Sequence, residues 1–180
     1  MDGKATLTII TGPMFSGKTE TLIAKIKEAQ SAGLVTKVFK PAMDTRYATD
    51  AIVTHSKDSI SAQAIAQSQD ILKHIEGVQV IGIDEAQFFD EELPVVCTAL
   101  LEQGVEVIAG GLDKDYRALP FGIMPQLIEM AAETIYLTAV CSGCGKEATY
   151  TYRKSSEKAT FLLGEQEIYE ARCEDCFKKK

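Results

Sequence analysis

ATLTIITGPMFSGKT, residues 5–19, decides the fold. An apolar run of strand length (5–11) feeds directly into Gly-x-x-x-x-Gly-Lys-Thr (12–19), and an amphipathic pattern follows. Gly12 and Gly17 let the chain curl so that backbone N–H groups converge on phosphate oxygens. A helix beginning near Lys18 adds the positive end of its dipole. Lys18 is placed to reach the β- and γ-phosphates, and the Thr19 hydroxyl to ligate Mg²⁺. Between the glycines lie Pro13, Met14, Phe15 and Ser16, which complete the expected triphosphate cradle. A glycine-rich turn that merely caps a helix would not call for this lysine and threonine after a buried strand.

Strand and helix patterns alternate outward from this loop to about residue 140. Helices are predicted over 18–32, 61–74, 91–103 and 123–132, and strands over 36–40, 78–83, 105–109 and 135–140. Residues 43–57 are polar without helical period and read as a loop, as do the Gly- and Pro-punctuated residues 110–122. Apolar strands separated by helices imply a parallel sheet covered on both faces. Ligands of such sheets sit beyond the carboxyl ends of the strands. There the run VQVIGIDE (78–85) delivers Asp84 and Glu85. Asp84 is suited to hold Mg²⁺ directly or through water, leaving Glu85 to accept a proton from a nucleophile. With water as nucleophile the chain is an ATPase; with a substrate hydroxyl it is a kinase.

From Cys141 the character changes to short strands between two Cys-x-x-Cys pairs, Cys141/Cys144 and Cys173/Cys176. Four thiolates in this pattern predict one structural, tetrahedral Zn²⁺ with no position open for water. The stretch between the pairs exceeds the roughly 15–20 residues usual in a zinc ribbon, so a metal here would close a long loop. Disulfides are the competing pairing. Cys97 lies in an apolar helix and reads as core. The loop carries Thr151, Arg153, Phe161, Leu162, Leu163, Gly164 and Tyr169, which could wrap a small aromatic substrate or form a packed hairpin. Arg153 and Arg46 are candidates to offset charge on a transferring phosphoryl group.

A chain of 180 residues that is 46% hydrophobic suits one domain with a small appendage. Its formal net charge of −7 disfavours a protein that grips nucleic-acid phosphates. The N-terminal residues lack the apolar core of a signal peptide, and no apolar run is long enough to span a membrane, so a cytoplasmic location is expected. The rival reading is a zinc-ribbon ATPase acting on nucleic acid. The acidic balance, the lack of room for a second motor domain and the apolar loop all count against it.

Taken together, the motifs resemble the type II, cytosolic thymidine kinases. GPMFSGKT (12–19), DTRY (44–47), DEAQFF (84–89), the LD…PFG pattern (112–122), YTYR (150–153) and the two cysteine pairs occur in order over nearly the whole length. The resemblance implies an α/β fold with a P-loop, RecA-like parallel sheet flanked by helices. Residues 1–140 would form that nucleotide-binding domain, and 141–180 a zinc-bound lasso subdomain. It implies transfer of the ATP γ-phosphate to the 5′-hydroxyl of thymidine or deoxyuridine, with Glu85 as general base. Asp84 and Gln87 fall in the nucleotide-binding segment, and Asp44 and Arg46 match polar residues near the phosphates. Met14, Phe88, Leu112, Tyr116, Phe121, Thr151, Thr160, Phe161, Leu162, Leu163, Gly164 and Tyr169 match positions lining the thymidine pocket. A homotetramer and feedback inhibition by dTTP are also implied. Position 116 is Tyr where the family usually has Phe, and Glu174-Asp175 fills a knuckle where Arg is common.

Overall fold

The computed structural model describes residues 4–42, 51–53, 59–157, 162 and 166–179. Six strands form one parallel sheet: β1 (Leu7–Thr11), β2 (Thr36–Pro41), β5 (Gln63–Ile65), β6 (Val80–Ile83), β7 (Glu106–Gly111) and β8 (Glu133–Tyr136). Their order is β5-β2-β6-β7-β1-β8. The strand bearing the glycine loop (β1) and the strand bearing the acids (β6) are therefore separated by β7. Register runs Leu7↔Val107 to Thr11↔Gly111 on one side of β1, and Thr8↔Glu133 to Thr11↔Tyr136 on the other.

Alternation along each strand feeds two cores. Leu7, Ile9, Ile81, Ile83, Val107 and Ala109 face α2 (Leu93–Glu102) and α3 (Met124–Met130), which contribute Leu93, Val96, Cys97, Leu100, Met124 and Leu127. Ile10, Val38 and Val80 face the opposite way, onto Leu22, Ile23 and Ile26 of α1 (Lys18–Ser31). Each such aliphatic side chain contributes about 1.5–3 kcal/mol when fully buried. Gly82 lets α1 come close: a Cβ there would lie 3.1 Å from Ile26 Cδ1. Cys97 is fully buried, and desolvation pushes its thiol up to about 12, in keeping with a core role.

Three expectations are corrected. Residues 61–74 are not one helix: β4 (Ser59–Ser61) and β5 precede a 3₁₀ segment, Ser68–His74. Pairing of Phe39, Lys40 and Pro41 with Gln63, Ala64 and Ile65 overrides the helix propensity of this Ala- and Gln-rich stretch, because β2 would otherwise expose its edge. Within the expected 43–57 loop, β3 (Ala51–Val53) pairs antiparallel with β4 and buries Ile52 against the α1 face. The predicted final strand is split. After β8 the chain makes one more bond to β1 (Leu137 N–H to Thr11 O, 2.7 Å), then leaves the sheet as β9 (Ala139–Val140).

Beyond this point β9 pairs with β10 (Glu147–Ala148), and β11 (Tyr150–Arg153) pairs with β12 (Tyr169–Arg172), both antiparallel. A short helix, α4 (Glu174–Lys178), starts at Cys173. Ala139, Cys141, Ala148, Ala171 and Cys173 make a small core of their own. No helix among the described residues is long and apolar enough to cross a membrane.

Candidate active site

The glycine loop fills the turn between β1 and α1, at the carboxyl end of the sheet. Gly12 passes so close to the chain after β8 that a Cβ would lie 2.3 Å from Leu137 O. Gly17 is left-handed (φ 84°) and caps α1, whose first turn carries Glu20. Phe15 also has positive φ, 66°. For a bulky residue this costs of the order of 1–3 kcal/mol, which surrounding contacts must offset. Lys18 Nζ donates to Pro13 O (2.7 Å), curling over the loop it serves. Burial pushes the Lys18 pKa down while Glu85, Asp84, Asp113 and Glu20 pull it up. An anionic phosphate at this place would add to that upward pull.

Asp84 ends β6 buried, and the Thr19 hydroxyl faces both of its carboxylate oxygens, at 3.3 and 3.4 Å. Thus β1 and β6, two strands apart, deliver a hydroxyl and a carboxylate to the same point. These are hard oxygen donors of the type Mg²⁺ accepts. Glu85 follows with a left-handed backbone (φ 51°, ψ 45°) that turns the chain into the 3₁₀ segment Ala86–Phe88. Its carboxylate accepts a short hydrogen bond from Gln87 Nε2. Buried Gln87 is itself held at Oε1 by the Leu112 N–H, 3.0 Å. Two glycines make room for it: a Cβ on Gly111 would lie 2.7 Å from Gln87 Oε1, and one on Gly122 2.5 Å from its carbonyl oxygen.

Beside the acids, Phe88 and Phe121 meet edge to face at 5.5 Å, with Leu112 buried just past the end of β7. The following loop is braced by buried Asp115, which accepts from the Arg117 and Leu119 N–H groups (2.8 and 3.2 Å) and from Arg117 Nε (2.9 Å). Sequence reasoning missed this bracket; an Asp followed two residues later by Arg in a Gly- and Pro-bounded loop is its one local signal. The Tyr116 ring lies 3.7 Å from the Arg153 guanidinium carbon. Arg153, also buried, donates from Nη2 to Tyr169 Oη (3.0 Å) and from Nη1 to Glu157 O (3.2 Å). Tyr169 Oη in turn accepts from the Leu162 N–H and donates to Leu162 O. Arg153 is thus engaged with the lasso and Tyr116. Thr151 reaches across: its hydroxyl accepts from the Met14 N–H at 3.0 Å, joining β11 to the glycine loop. Asp44, Arg46, Thr160, Phe161, Leu163 and Gly164 lie outside the described residues.

The four paired cysteines converge, with all Sγ atoms within 4.8 Å of one another. Zn–S bonds of about 2.3 Å in a tetrahedron place sulfurs about 3.8 Å apart, and Cys144 and Cys173 Sγ are 3.5 Å apart. The set therefore fits a zinc ion. A backbone hydrogen bond from Cys173, helped by those from Gly143 and Cys144, holds the Cys141 thiol down at about 6. Cys176, hydrogen-bonded to Cys144, Cys173 and Cys141, is pushed up to about 12. Gly143 clears the space, since a Cβ there would lie 3.0 Å from Cys176 Sγ.

Comparison with known proteins agrees with this geometry. A sequence model described as "Thymidine kinase" matches residues 5–177. A thymidine kinase of Bacteroides fragilis is 43% identical over 173 residues, covering 96% of this chain and 87% of that protein. One from Porphyromonas gingivalis is 40% identical over 176 residues, covering 98% and 86%. Among solved structures, the genome-packaging NTPase B204 of Sulfolobus turreted icosahedral virus 2, in complex with ATP-γS, is similar in fold alone. It has 14% identity and a TM-score of 0.50, over 74% of this chain and 75% of that one. With the family match spanning almost every residue, the chain belongs to the thymidine kinase family of ATP-dependent nucleoside kinases.

Proposed function

We infer that the chain transfers the γ-phosphate of ATP to the 5′-hydroxyl of thymidine, and also of deoxyuridine, forming the 5′-monophosphate. The observation that carries this reading is the convergence of Thr19, Asp84 and Glu85 at the carboxyl ends of β1 and β6. The loop N–H groups and Lys18 hold the β- and γ-phosphates. Thr19 and Asp84 would hold Mg²⁺, whose charge would offset that of the phosphates during transfer. Glu85 takes the proton of the attacking hydroxyl, oriented by its bond from Gln87. Arg46 is assigned to charge on the phosphoryl group. Arg153 is assigned to shaping the lasso, supported by its bonds to Tyr169 and Glu157.

Met14, Phe88, Leu112, Tyr116, Phe121, Thr151, Leu162 and Tyr169 are assigned to nucleoside binding, as are Thr160, Phe161, Leu163 and Gly164 on the family resemblance alone. The lasso (141–180), clamped by one zinc, closes over the base and keeps water from the phosphate. The nucleotide-binding domain is residues 1–140. The family further suggests a cytoplasmic homotetramer inhibited by dTTP. Incubation with ATP, Mg²⁺ and thymidine is expected to yield thymidine 5′-monophosphate. Phosphate release indifferent to nucleosides but raised by DNA or RNA would sink the kinase reading.

A further inference from the structure

Within the glycine loop, Phe15 is doubly out of place. Neither the phosphate-binding motif nor the nucleoside pocket asks for an aromatic ring there, and its backbone sits at φ 66°. Its side chain leaves the loop altogether. It packs against the small core formed by Ala139, Cys141, Ala148, Ala171 and Cys173, between the clefts that flank β9. The neighbouring Met14 N–H is tied to Thr151 of the same subdomain. The loop is therefore fastened at two consecutive positions, by a ring and by a hydrogen bond, to a part of the chain more than a hundred residues away. A left-handed phenylalanine persists only where surrounding contacts over-determine it.

We propose that Phe15 is a positioning residue for ATP: its ring, anchored in the cysteine subdomain's apolar core, holds the loop in the conformation that presents its N–H groups to phosphate. Donor affinity then depends on a contact that touches neither donor nor acceptor. The inference rests on reading residues 12–19 as the ATP site. The test is equilibrium binding of an ATP analogue and of thymidine, measured separately on the full-length protein and on Phe15→Gly, Phe15→Leu and Lys18→Ala.

Glycine tolerates φ 66° freely but has no ring to anchor. Phe15→Gly is expected to weaken the analogue about tenfold, as when the competent loop falls to about a tenth of its population, while thymidine, most of whose assigned contacts lie off the loop, loses less. Phe15→Leu, still apolar, recovers part of the loss. Amide hydrogen exchange of the loop should quicken in Phe15→Gly while that of β6 and β7 stays unchanged. Wild-type analogue affinity in Phe15→Gly, or equal losses for analogue and thymidine, would overturn the proposal. Should the glycine variant not fold, wild-type affinity and exchange in both Phe15→Leu and Phe15→Val would overturn it equally. Undiminished analogue binding by Lys18→Ala would instead remove the ATP-site reading, and this proposal with it.

Discussion

Glu85 shows how a single side chain is made to face one way. Its left-handed backbone breaks from β6, and Gln87 then grips the carboxylate. Gln87 is fixed in turn by an N–H from the end of β7 and by the clearance at Gly111 and Gly122. Glu85→Gln keeps the shape but removes the carboxylate proposed to take the proton. Turnover is expected to fall by about two to four decades, with ATP binding retained, as steady-state kinetics and equilibrium binding would show. Wild-type turnover would take Glu85 out of the mechanism. The Asp-Glu pair was legible in the sequence because an apolar run ends on it. The clamp around it was not, since its partners arrive from Leu112 and Gly122 and no local pattern links them.

At the scale of elements, legibility followed burial. The strands with apolar residues on both faces were readable as continuous runs, and α1 by its period. Ala51–Val53, Ser59–Ser61 and Gln63–Ile65 were misread because these short strands gain their stability from β2 and from each other rather than from propensity; the rest of the expected 43–57 loop lies outside the described residues. The cysteine knuckles were readable from spacing alone. What spacing could not disclose was that the core between them receives Phe15. Elemental analysis of the purified protein is expected to find about one zinc per chain. Cys173→Ala should abolish it and lower the melting temperature, since it removes a ligand whose side chain also belongs to the subdomain's small core. Two disulfides in place of metal would refute the ligand assignment.

For the molecule as a whole, the two layers of helices around a parallel sheet follow from where the apolar residues fall. The strand order could not be read from them, because the central strands β1, β6 and β7 are similarly apolar and nothing local distinguishes their positions. That order has a consequence for how the protein comes into being. Among the described residues, β1 pairs only with β7 and β8, which are synthesised long after it. At roughly 5–20 residues per second of translation, it waits on the order of ten seconds for its neighbours to emerge. Pulse-labelled hydrogen exchange during refolding should find β1 amides protected no earlier than those of β7 and β8; earlier protection would contradict this sequence of events. The strand that leads into the glycine loop is then a keystone, seated only after the strands on either side of it, and the loop's cradle does not exist on a nascent chain until β7 and β8 have left the ribosome.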